Sequence, residues 1–356
     1  MAIFIDVFED VTRLGKKIPT SEYLESGKYP IIDQGQSNIA GYTNEENGLF
    51  TDVPVVIFGD HTRAVKYVDT PFFLGADGVK VLKSKIRDMN YKYLYYAVSS
   101  VNIPDTGYNR HFKWLKEADI QIPSLKRQYE IVKNLDSLTN LIDLHNQQLK
   151  KLDELVKSRF VELFVGKDYP LIALDDLSLG KGEYGAQSAS IEYDDSRPRY
   201  VRITDINDDG TLNDDIVSSA NIEDDVQYKL SYGDFMFARM GATVGKTYAY
   251  KTGHQIFAGY LIRYRLNLEK IMPEYLYSYT KLDEYKTWVL LNQSGAAQPG
   301  INAKKYGSLQ IPVPPIYLQN EFADFVKQVD KSKLEVQQSL KKLETLKKSL
   351  MQQYFG

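Results

Sequence analysis

The stretch Leu149-Lys150-Lys151-Leu152-Asp153 decides the fold, because Leu340-Lys341-Lys342-Leu343-Glu344 repeats its pattern later in the chain. Each copy lies in a long segment of mixed polar and apolar residues. The first segment ends in the aromatic residue Phe164 and the second in Phe355. Self-similarity of this kind is the sequence signature of an internal repeat. The chain therefore contains two copies of one long segment.

The repeat extends upstream of these two segments. Gln121-Ile122-Pro123 opens the first segment and Gln310-Ile311-Pro312 opens the second, while Tyr93-Leu94-Tyr95 is matched by Tyr275-Leu276-Tyr277. Each half therefore consists of a globular domain followed by a long helix, and the unequal spacings fit insertions in loops. We predict four regions in order: a first domain at 1–119, a central helix region at 120–166, a second domain at 167–308 and a C-terminal helix region at 309–356.

Both long segments show the apolar spacing of a coiled-coil helix. This seam comprises Ile131, Leu135, Leu138, Ile142, Leu149, Leu152 and Val156 in the first helix, and Phe322, Val326, Val329, Val336, Leu340, Leu343 and Leu350 in the second. His145 and Lys333 interrupt it. A helix from Gln128 to Phe164 would measure about 55 Å, so it is a spacer as well as a core element. Pairing within the chain is favoured over an ordinary bundle or a homodimeric coiled coil, and periodicity leaves the orientation open.

The two globular halves combine short strands with helices. Val53 to Phe58 and Tyr260 to Tyr264 have the composition of strands bounded by turn residues, whereas Tyr91 to Ser99 and Pro273 to Trp288 fit helices. The sequence therefore predicts a mixed α+β domain that is used twice.

Composition limits the chemistry available to the chain. Its 356 residues suffice for two domains, while zero cysteines and four scattered histidines make zinc or redox chemistry unexpected. The formal net charge of −3 argues against a uniformly basic coat, and acids concentrate between Asp175 and Asp225. With no long apolar run and no secretion signal at the N-terminus, we expect a soluble, cytoplasmic protein with no membrane partner.

Two segments of the first half carry side chains suited to DNA. The turn Gly59 to Arg63 gathers donors and acceptors for base edges, although a plain hydrogen-bonded turn is the simpler explanation of any one of these residues. Tyr108 to Trp114 interleaves basic, aromatic and amide side chains, a composition that can hold backbone and read a groove. Phe112 and Trp114 also fit a core.

The second half contains a glycine-rich candidate. Gly241 to Thr247 is not a P-loop, because three rather than four residues separate its glycines. It is either a turn that brings Arg239 and Lys246 to a phosphate or base edge, or a plain β-turn with solvated charges. Gln298 to Lys305 matches the position of Tyr108 to Trp114. The acidic stretch around Asp208-Asp209-Gly210 is predicted to be a hairpin turn rather than a calcium loop.

Residues for catalysis are not evident. Val313-Pro314-Pro315-Ile316 lacks the polar and aromatic residues of an adenine methyltransferase motif, and His61 has no recognisable nucleophile or metal partner. A nuclease or motor would need clustered acids with lysine, or a true P-loop. We therefore predict a non-catalytic chain without cofactor or metal.

A set of motifs runs through both halves of the chain. It comprises Tyr29 to Gln36 with Ile39 to Tyr42, Phe58 to Arg63 and Gly75 to Lys80 in the first half, Gly233-Asp234, Phe237 to Gly241 and Gln298 to Asn302 in the second, and the Ile-Pro motif that opens each helix. Together these motifs resemble the DNA specificity subunit of type I restriction-modification systems. The resemblance spans essentially the whole chain and includes its order of domain, helix, domain, helix. It implies an α+β fold in which two similar mixed α/β target-recognition domains are separated by a pair of long, antiparallel coiled-coil helices.

The resemblance also implies recognition of a bipartite target in double-stranded DNA. Methyltransferase subunits, expected to number two, would dock on the helices and methylate adenine, and a motor-nuclease restriction subunit would join for cleavage. The predicted DNA-contacting residues are His61, Thr62, Arg63, Lys80, Tyr108, Asn109, Arg110, His111 and Lys113 in the first half, and Arg239, Thr243, Lys246, Gln298, Asn302 and Lys304 in the second. Two alternatives remain open: the specificity subunit of a combined restriction-methylation enzyme, and a coiled-coil scaffold with protein-binding globular ends.

Overall fold

The structure is a computed structural model that describes residues 1–75, 77–107, 109–295 and 299–356. The chain divides into two compact units. The first unit consists of Met1–Gln147 and Gln337–Gly356, and the second unit consists of Gln148–Val336. Each unit therefore combines globular structure with parts of both long helices.

The first unit is built on a four-stranded antiparallel sheet. Its strands are β1 (Ala2–Ile3), β2 (Phe8–Asp10), β3 (Tyr29–Ile32), β4 (Gly41–Thr43), β5 (Val55–Gly59), β6 (Val65–Val68), β7 (Phe73–Leu74), β8 (Val79–Ser84) and β9 (Asp119–Ile120), and its short helices are α1 (Phe4–Val7), α2 (Tyr91–Ser100) and α3 (Phe112–Lys116). The sheet has the order β2-β8-β5-β6, while β3 pairs antiparallel with β4 and parallel with β7. β1 pairs with β9.

The central strand β5 is buried along its whole length because both of its faces are covered. Val56 and Phe58 pack into the core that contains α2, whereas Val55 and Ile57 pack into a second core with Phe72. Alternate side chains of a strand point to opposite faces, so a continuous apolar run is required here. This explains why Val53 to Phe58 shows no polar alternation in the sequence.

The long helix α4 (Leu125–Phe164) has 40 residues and follows β9. After it come β10 (Leu171–Ala173), β11 (Glu183–Tyr184), β12 (Ser190–Glu192), β13 (Arg199–Val201), β14 (Ser218–Ala220), β15 (Asp234–Ala238), β16 (Thr247–Ala249), β17 (Gln255–Phe257), β18 (Leu261–Arg265), α5 (Pro273–Tyr279), α6 (Asp283–Asn292), α7 (Ala303–Gly307) and β19 (Gln310–Pro312). The chain closes with α8 (Ile316–Phe355), which also has 40 residues.

The second unit repeats the architecture of the first. Its antiparallel sheet has the order β11-β18-β15-β16, the parallel pair β13 and β17 corresponds to β3 and β7, and β10 pairs with β19 as β1 does with β9. The central strand β15 is again buried on both faces, with Phe235 and Phe237 in one core and Met236 and Ala238 in another. The predicted use of one mixed α+β domain twice is confirmed.

Polar contacts show that α4 and α8 are antiparallel. In the first unit His145 Nε2 lies 3.1 Å from Ser339 Oγ, and Asn134 donates to the Tyr354 hydroxyl at 3.0 Å. In the second unit Arg159 pairs with Glu321 at 2.6 Å, and Lys333 pairs with Asp153. Residues near the start of α4 thus contact residues near the end of α8, and residues near the end of α4 contact residues near the start of α8. His145 and Lys333, which interrupt the apolar seam, each make a polar contact with the opposite helix.

The aromatic ends of the two helices pack on equivalent tyrosines. In the second unit Phe164 of α4 contacts Tyr275 with ring centroids 4.9 Å apart, and in the first unit Phe355 of α8 contacts Tyr93 at 5.4 Å. Both tyrosines are buried, and each donates its hydroxyl to a main-chain carbonyl just before a long helix. Each aromatic helix end is therefore part of a domain core.

A buried glutamine fixes the start of each long helix. In α4 the Gln128 amide accepts from Asn90 N at 3.0 Å and donates to Pro123 O at 2.9 Å. In α8 the Gln319 amide accepts from Met272 N at 2.9 Å and donates to Pro314 O at 2.8 Å and Lys270 O at 3.1 Å. The two donors, Asn90 N and Met272 N, lie at the N-caps of α2 and α5, where backbone N–H groups lack partners within the helix. One side chain thus joins the start of a long helix to the segment that starts α2 or α5.

We expect Gln319→Leu to lower the free energy of unfolding of the second unit by about 2 kcal/mol or more, because each buried group left unsatisfied costs about 1–3 kcal/mol. Urea unfolding, with hydrogen exchange at the Met272 amide, measures the effect. Gln328→Leu is the matched control, since Gln328 is exposed on the same helix. Equal stabilities for the two variants would contradict the anchoring role.

Candidate nucleic-acid interface

The first half brings its two candidate segments together. The turn between β5 and β6 contacts the residues just before α3: His111 N donates to Asp60 O at 2.7 Å, and the Asp60 carboxylate accepts from Phe112 N at 2.8 Å. His61 Nδ1 lies 3.2 Å from Asn109 O. We call this combined turn and pre-helix segment, residues 59–64 with 109–113, the first turn surface.

The cations of the first turn surface are partly paired. Arg63, whose backbone has φ of 61°, forms an ion pair with Asp105 at 2.8 Å. Hydrogen bonds from Gly107 N and from Arg63 hold the pKa of Asp105 below its usual value. Lys80 lies on the neighbouring strand β8, 3.0 Å from Asp10. Asn109, Arg110 and Lys113 are exposed.

His111 lies inside the fold. It is only 1% exposed, and its Nδ1 lies 3.1 Å from Asp60 O. Thr62 donates its hydroxyl to Gln34 O, in a loop that belongs to one of the motifs of the resemblance but was not among the predicted contact residues. In this structure both side chains hold the first turn surface together.

The second half places its candidates at the equivalent position. The turn between β15 and β16 contacts the segment before α7, since Ile301 N donates to Arg239 O at 2.9 Å and Gly241 N donates to Pro299 O at 2.9 Å. Gly241 and Gly245 both have positive φ, of 70° and 85°, which glycine adopts without steric cost. We call residues 239–246 with 299–304 the second turn surface. Tyr108 and Gln298 lie outside the described residues.

Arg239 is the most constrained cation of the second turn surface. Its guanidinium lies 4.7 Å from the ring centroid of Tyr184, and its Nε is buried with no hydrogen-bond partner in the part of the chain that the structure describes. Tyr184 is 42% exposed and lies on β11, beside Glu183. The buried Arg263 binds Glu183 and so fixes this strand. Tyr184 was missed from the sequence, although a tyrosine between Gly182 and Gly185 is a recognisable signal.

The remaining candidates differ in whether their side chains are bound by other groups of the protein. Lys246 pairs with the exposed Asp208 at 2.7 Å, and this hydrogen bond holds the pKa of Asp208 below its usual value. Thr243 donates to Met240 O at 3.2 Å. Asn302 caps α7 by accepting from Lys305 N at 2.9 Å, whereas Lys304 is exposed. The predicted turn at Gly210 is present, with a bridge between Ile206 and Leu212.

Within residues 1–75, 77–107, 109–295 and 299–356, no group of three or more histidine, aspartate or glutamate side chains is arranged to hold a metal ion. None of the helices described is both long enough and apolar enough to cross a membrane. The two turn surfaces offer charge, amides and aromatic faces, a combination that suits binding to nucleic acid.

The fold and the paired surfaces define a two-domain recognition protein. Residues 5–154 and 174–347 match the family model of the type I restriction modification DNA specificity domain. Because these matches cover well over half of the chain, the protein belongs to this family, whose members recognise DNA sequence.

A relative from Escherichia coli agrees with this assignment. The type I restriction enzyme EcoR124I/EcoR124II specificity subunit of Escherichia coli is 30% identical over 137 residues, which cover 35% of this chain. The chain matches about a third of that relative's length, 34%.

Solved structures share the fold over nearly the whole chain. The S subunit of the type I restriction-modification system from M. genitalium has a TM-score of 0.67 at 16% identity and covers 99% of this chain and 95% of its own. A chain from a structure on complex assembly and conformational transition of the type I R-M system has a TM-score of 0.54 at 14% identity, covering 98% and 97%. The antiparallel helix pair and the two domains are thus those of known specificity subunits.

We expect Asp208→Asn to tighten DNA binding by about two- to tenfold at low salt. In wild type Lys246 must give up its ion pair with Asp208 before it can bind a phosphate, and the variant removes this cost. The gain should shrink as salt rises, and Lys246→Ala should abolish it. Fluorescence anisotropy at several salt concentrations measures both effects.

The matched control for Asp208→Asn is Asp215→Asn, which removes the same charge from an exposed residue of the same acidic stretch. An equal gain from the control would mean that only net charge matters and that Lys246 has no specific role.

Proposed function

We propose that this chain is the DNA-reading subunit of a type I restriction-modification system and that it recognises a bipartite target. The observation that carries the proposal is that one surface, a turn between two central strands joined to a pre-helix segment, occurs in both domains with different side chains. The first copy presents His61, Thr62 and Arg63, and the second presents Arg239, Thr243 and Lys246. Different side chains on equivalent surfaces suit two half-sites of different sequence.

The proposed contacts divide by chemistry. Arg63, Lys80, Arg110, Lys113, Lys246 and Lys304 are assigned to phosphates, because they lie on or beside the turn surfaces and carry charge. Arg239, Asn109 and Asn302 are assigned to base edges, with Tyr108 and Gln298 as further candidates. His61 and Thr62 lie on the turn itself, and His111 supports it from inside.

The chain is proposed to be non-catalytic and to act through partners. Two methyltransferase subunits would dock on α4 and α8 and methylate adenine in each half-site, and a motor-nuclease subunit would join them for cleavage. The relative from Escherichia coli is itself the specificity subunit of a type I restriction enzyme, which supports this assembly. We keep the predicted division into 1–119, 120–166, 167–308 and 309–356, in which the domains read DNA and the helix regions bind the partners.

A specificity subunit of a combined restriction-methylation enzyme would also recognise a bipartite target. A scaffold with protein-binding ends is the alternative of a different class. Strong preference of the chain for particular DNA sequences would favour either kind of specificity subunit over the scaffold.

To test the function, random duplex DNA is enriched on the full chain bound to its methyltransferase partner. We expect two conserved segments separated by an unread gap. Arg239→Ala should relax the preference in one segment by roughly five- to a hundredfold at one base pair, because a bidentate arginine contact discriminates bases by about 1–3 kcal/mol. The control is Leu291→Ala, which changes an exposed side chain of the same unit. Recovery of DNA with no common sequence would overturn the function.

The spacer role of the helices has its own test. One heptad inserted in α4 between Leu149 and Val156, with a matched heptad in α8 near Lys333, preserves the seam and adds about 10 Å. At 3.4 Å per base pair the preferred gap should grow by about three base pairs. Methylome sequencing reads the gap directly. Lys150→Ala with Glu154→Ala keeps the length and should leave the gap unchanged, whereas an unaltered gap in the longer protein contradicts the spacer role.

A further inference from the structure

The loop between β3 and β4, residues 33–40, is held by an unusual buried cation. Lys66 of β6 is buried, with 4% of its side chain exposed. Its ammonium donates to Asp33 O at 2.8 Å and Ser37 O at 2.6 Å, and it lies 3.5 Å from the Asp33 carboxylate. Burial of a lysine is unfavourable unless its donors are satisfied. The start and the middle of the loop are therefore held by one buried charge.

Gln34 joins this loop to the first turn surface. Its side-chain carbonyl accepts from His61 N at 3.1 Å, its amide donates to Asp77 O at 2.9 Å, and its main-chain carbonyl accepts from the Thr62 hydroxyl. Three bonds from one residue thus connect the loop to two other segments of the first domain. The loop is a continuation of the first turn surface.

Glycines allow this close approach. A Cβ on Gly59 would meet Thr62 and Gln34, and one on Gly78 would overlap the Gln34 side chain. Gly78 also has φ of 94°, which other residues rarely adopt. A glycine at each of these two positions is therefore needed for the loop to pack as it does.

The tip of the loop, unlike its base, is exposed to solvent. Gln36 and Asn38 are exposed, and neither amide forms a side-chain hydrogen bond within the described part of the chain. Amide side chains present a donor and an acceptor together, which matches the major-groove edge of adenine. A rigid base with unpaired amides at its tip is the arrangement that sequence reading requires, because specificity needs side chains held in place.

We propose that Gln36 and Asn38 contact base edges in the half-site read by the first domain, and that Lys66 is a positioning residue that fixes their loop. The inference rests on the proposed function, since it assigns further specificity residues to the same DNA target. Both amides are uncharged, so they add sequence preference rather than general affinity for DNA.

The test uses the full chain with its methyltransferase partner and compares wild type with Gln36→Ala/Asn38→Ala by enrichment of random duplex DNA. We expect base preference to fall about tenfold or more at one or two positions of a single half-site. The other half-site and the slope of affinity against salt should be unchanged, because no phosphate contact is lost. Asn47→Ala, an exposed amide in another loop of the same domain, is the control.

Lys66→Met tests the positioning role. It should relax the same base positions as the double alanine variant, and adding it to that variant should cause no further relaxation, because both changes act through one loop. A merely structural role would instead weaken all preferences of that half-site or add to the alanine effect. Intact preference at the remaining base positions of the same half-site shows that the first domain remains folded.

The outcomes separate the two proposals. Wild-type protein with no sequence preference would overturn the proposed function itself. A bipartite preference that the double alanine variant retains in full would leave the function standing and overturn the assignment of Gln36 and Asn38.

Discussion

The fold depends on how a 40-residue helix is attached to a small domain, and a buried amide makes that attachment. Gln128 and Gln319 each satisfy main-chain groups from two segments at once. An amide can do this because it carries an acceptor and two donors, whereas an apolar side chain would leave those groups unpaired. At the opposite end of each helix the attachment is apolar, through Phe164 or Phe355. A directional polar contact sets where the helix starts, and aromatic packing secures where it ends.

Much of the architecture was predictable from the sequence, because it rests on periodicity and repetition. The matched pentapeptides at Leu149 and Leu340 and the matched tyrosines at Tyr93 and Tyr275 predict two domains and two helices, and the structure confirms both. Antiparallel pairing was not available from spacing, since a heptad seam is compatible with either direction. His145 and Lys333 looked like faults in the seam, and their partners Ser339 and Asp153 become apparent only once the two helices are paired.

The candidate site was predictable in part. Both turns and the first pre-helix segment were predicted from their composition, and the second pre-helix segment from its matching position. Neither composition nor position indicates which side chains point inward. His111 resembles a surface histidine in the sequence and is buried, while Lys66 resembles an exposed strand lysine and is the buried anchor of a loop. Tyr184 and Gln34 act through contacts with residues 55 and 27 positions away, so their neighbours in the sequence do not indicate which partner each side chain has.

The division of the chain into units has a consequence for how the protein forms during synthesis. The second unit, Gln148–Val336, is continuous in sequence, so all its parts leave the ribosome in one stretch. The first unit needs residues 337–356, whose Phe355 covers Tyr93 in its core. Although its domain is made first, that core lacks Phe355 until α8 has been translated. The repeat thus reverses the usual order of maturation, and the amino-terminal half is completed last.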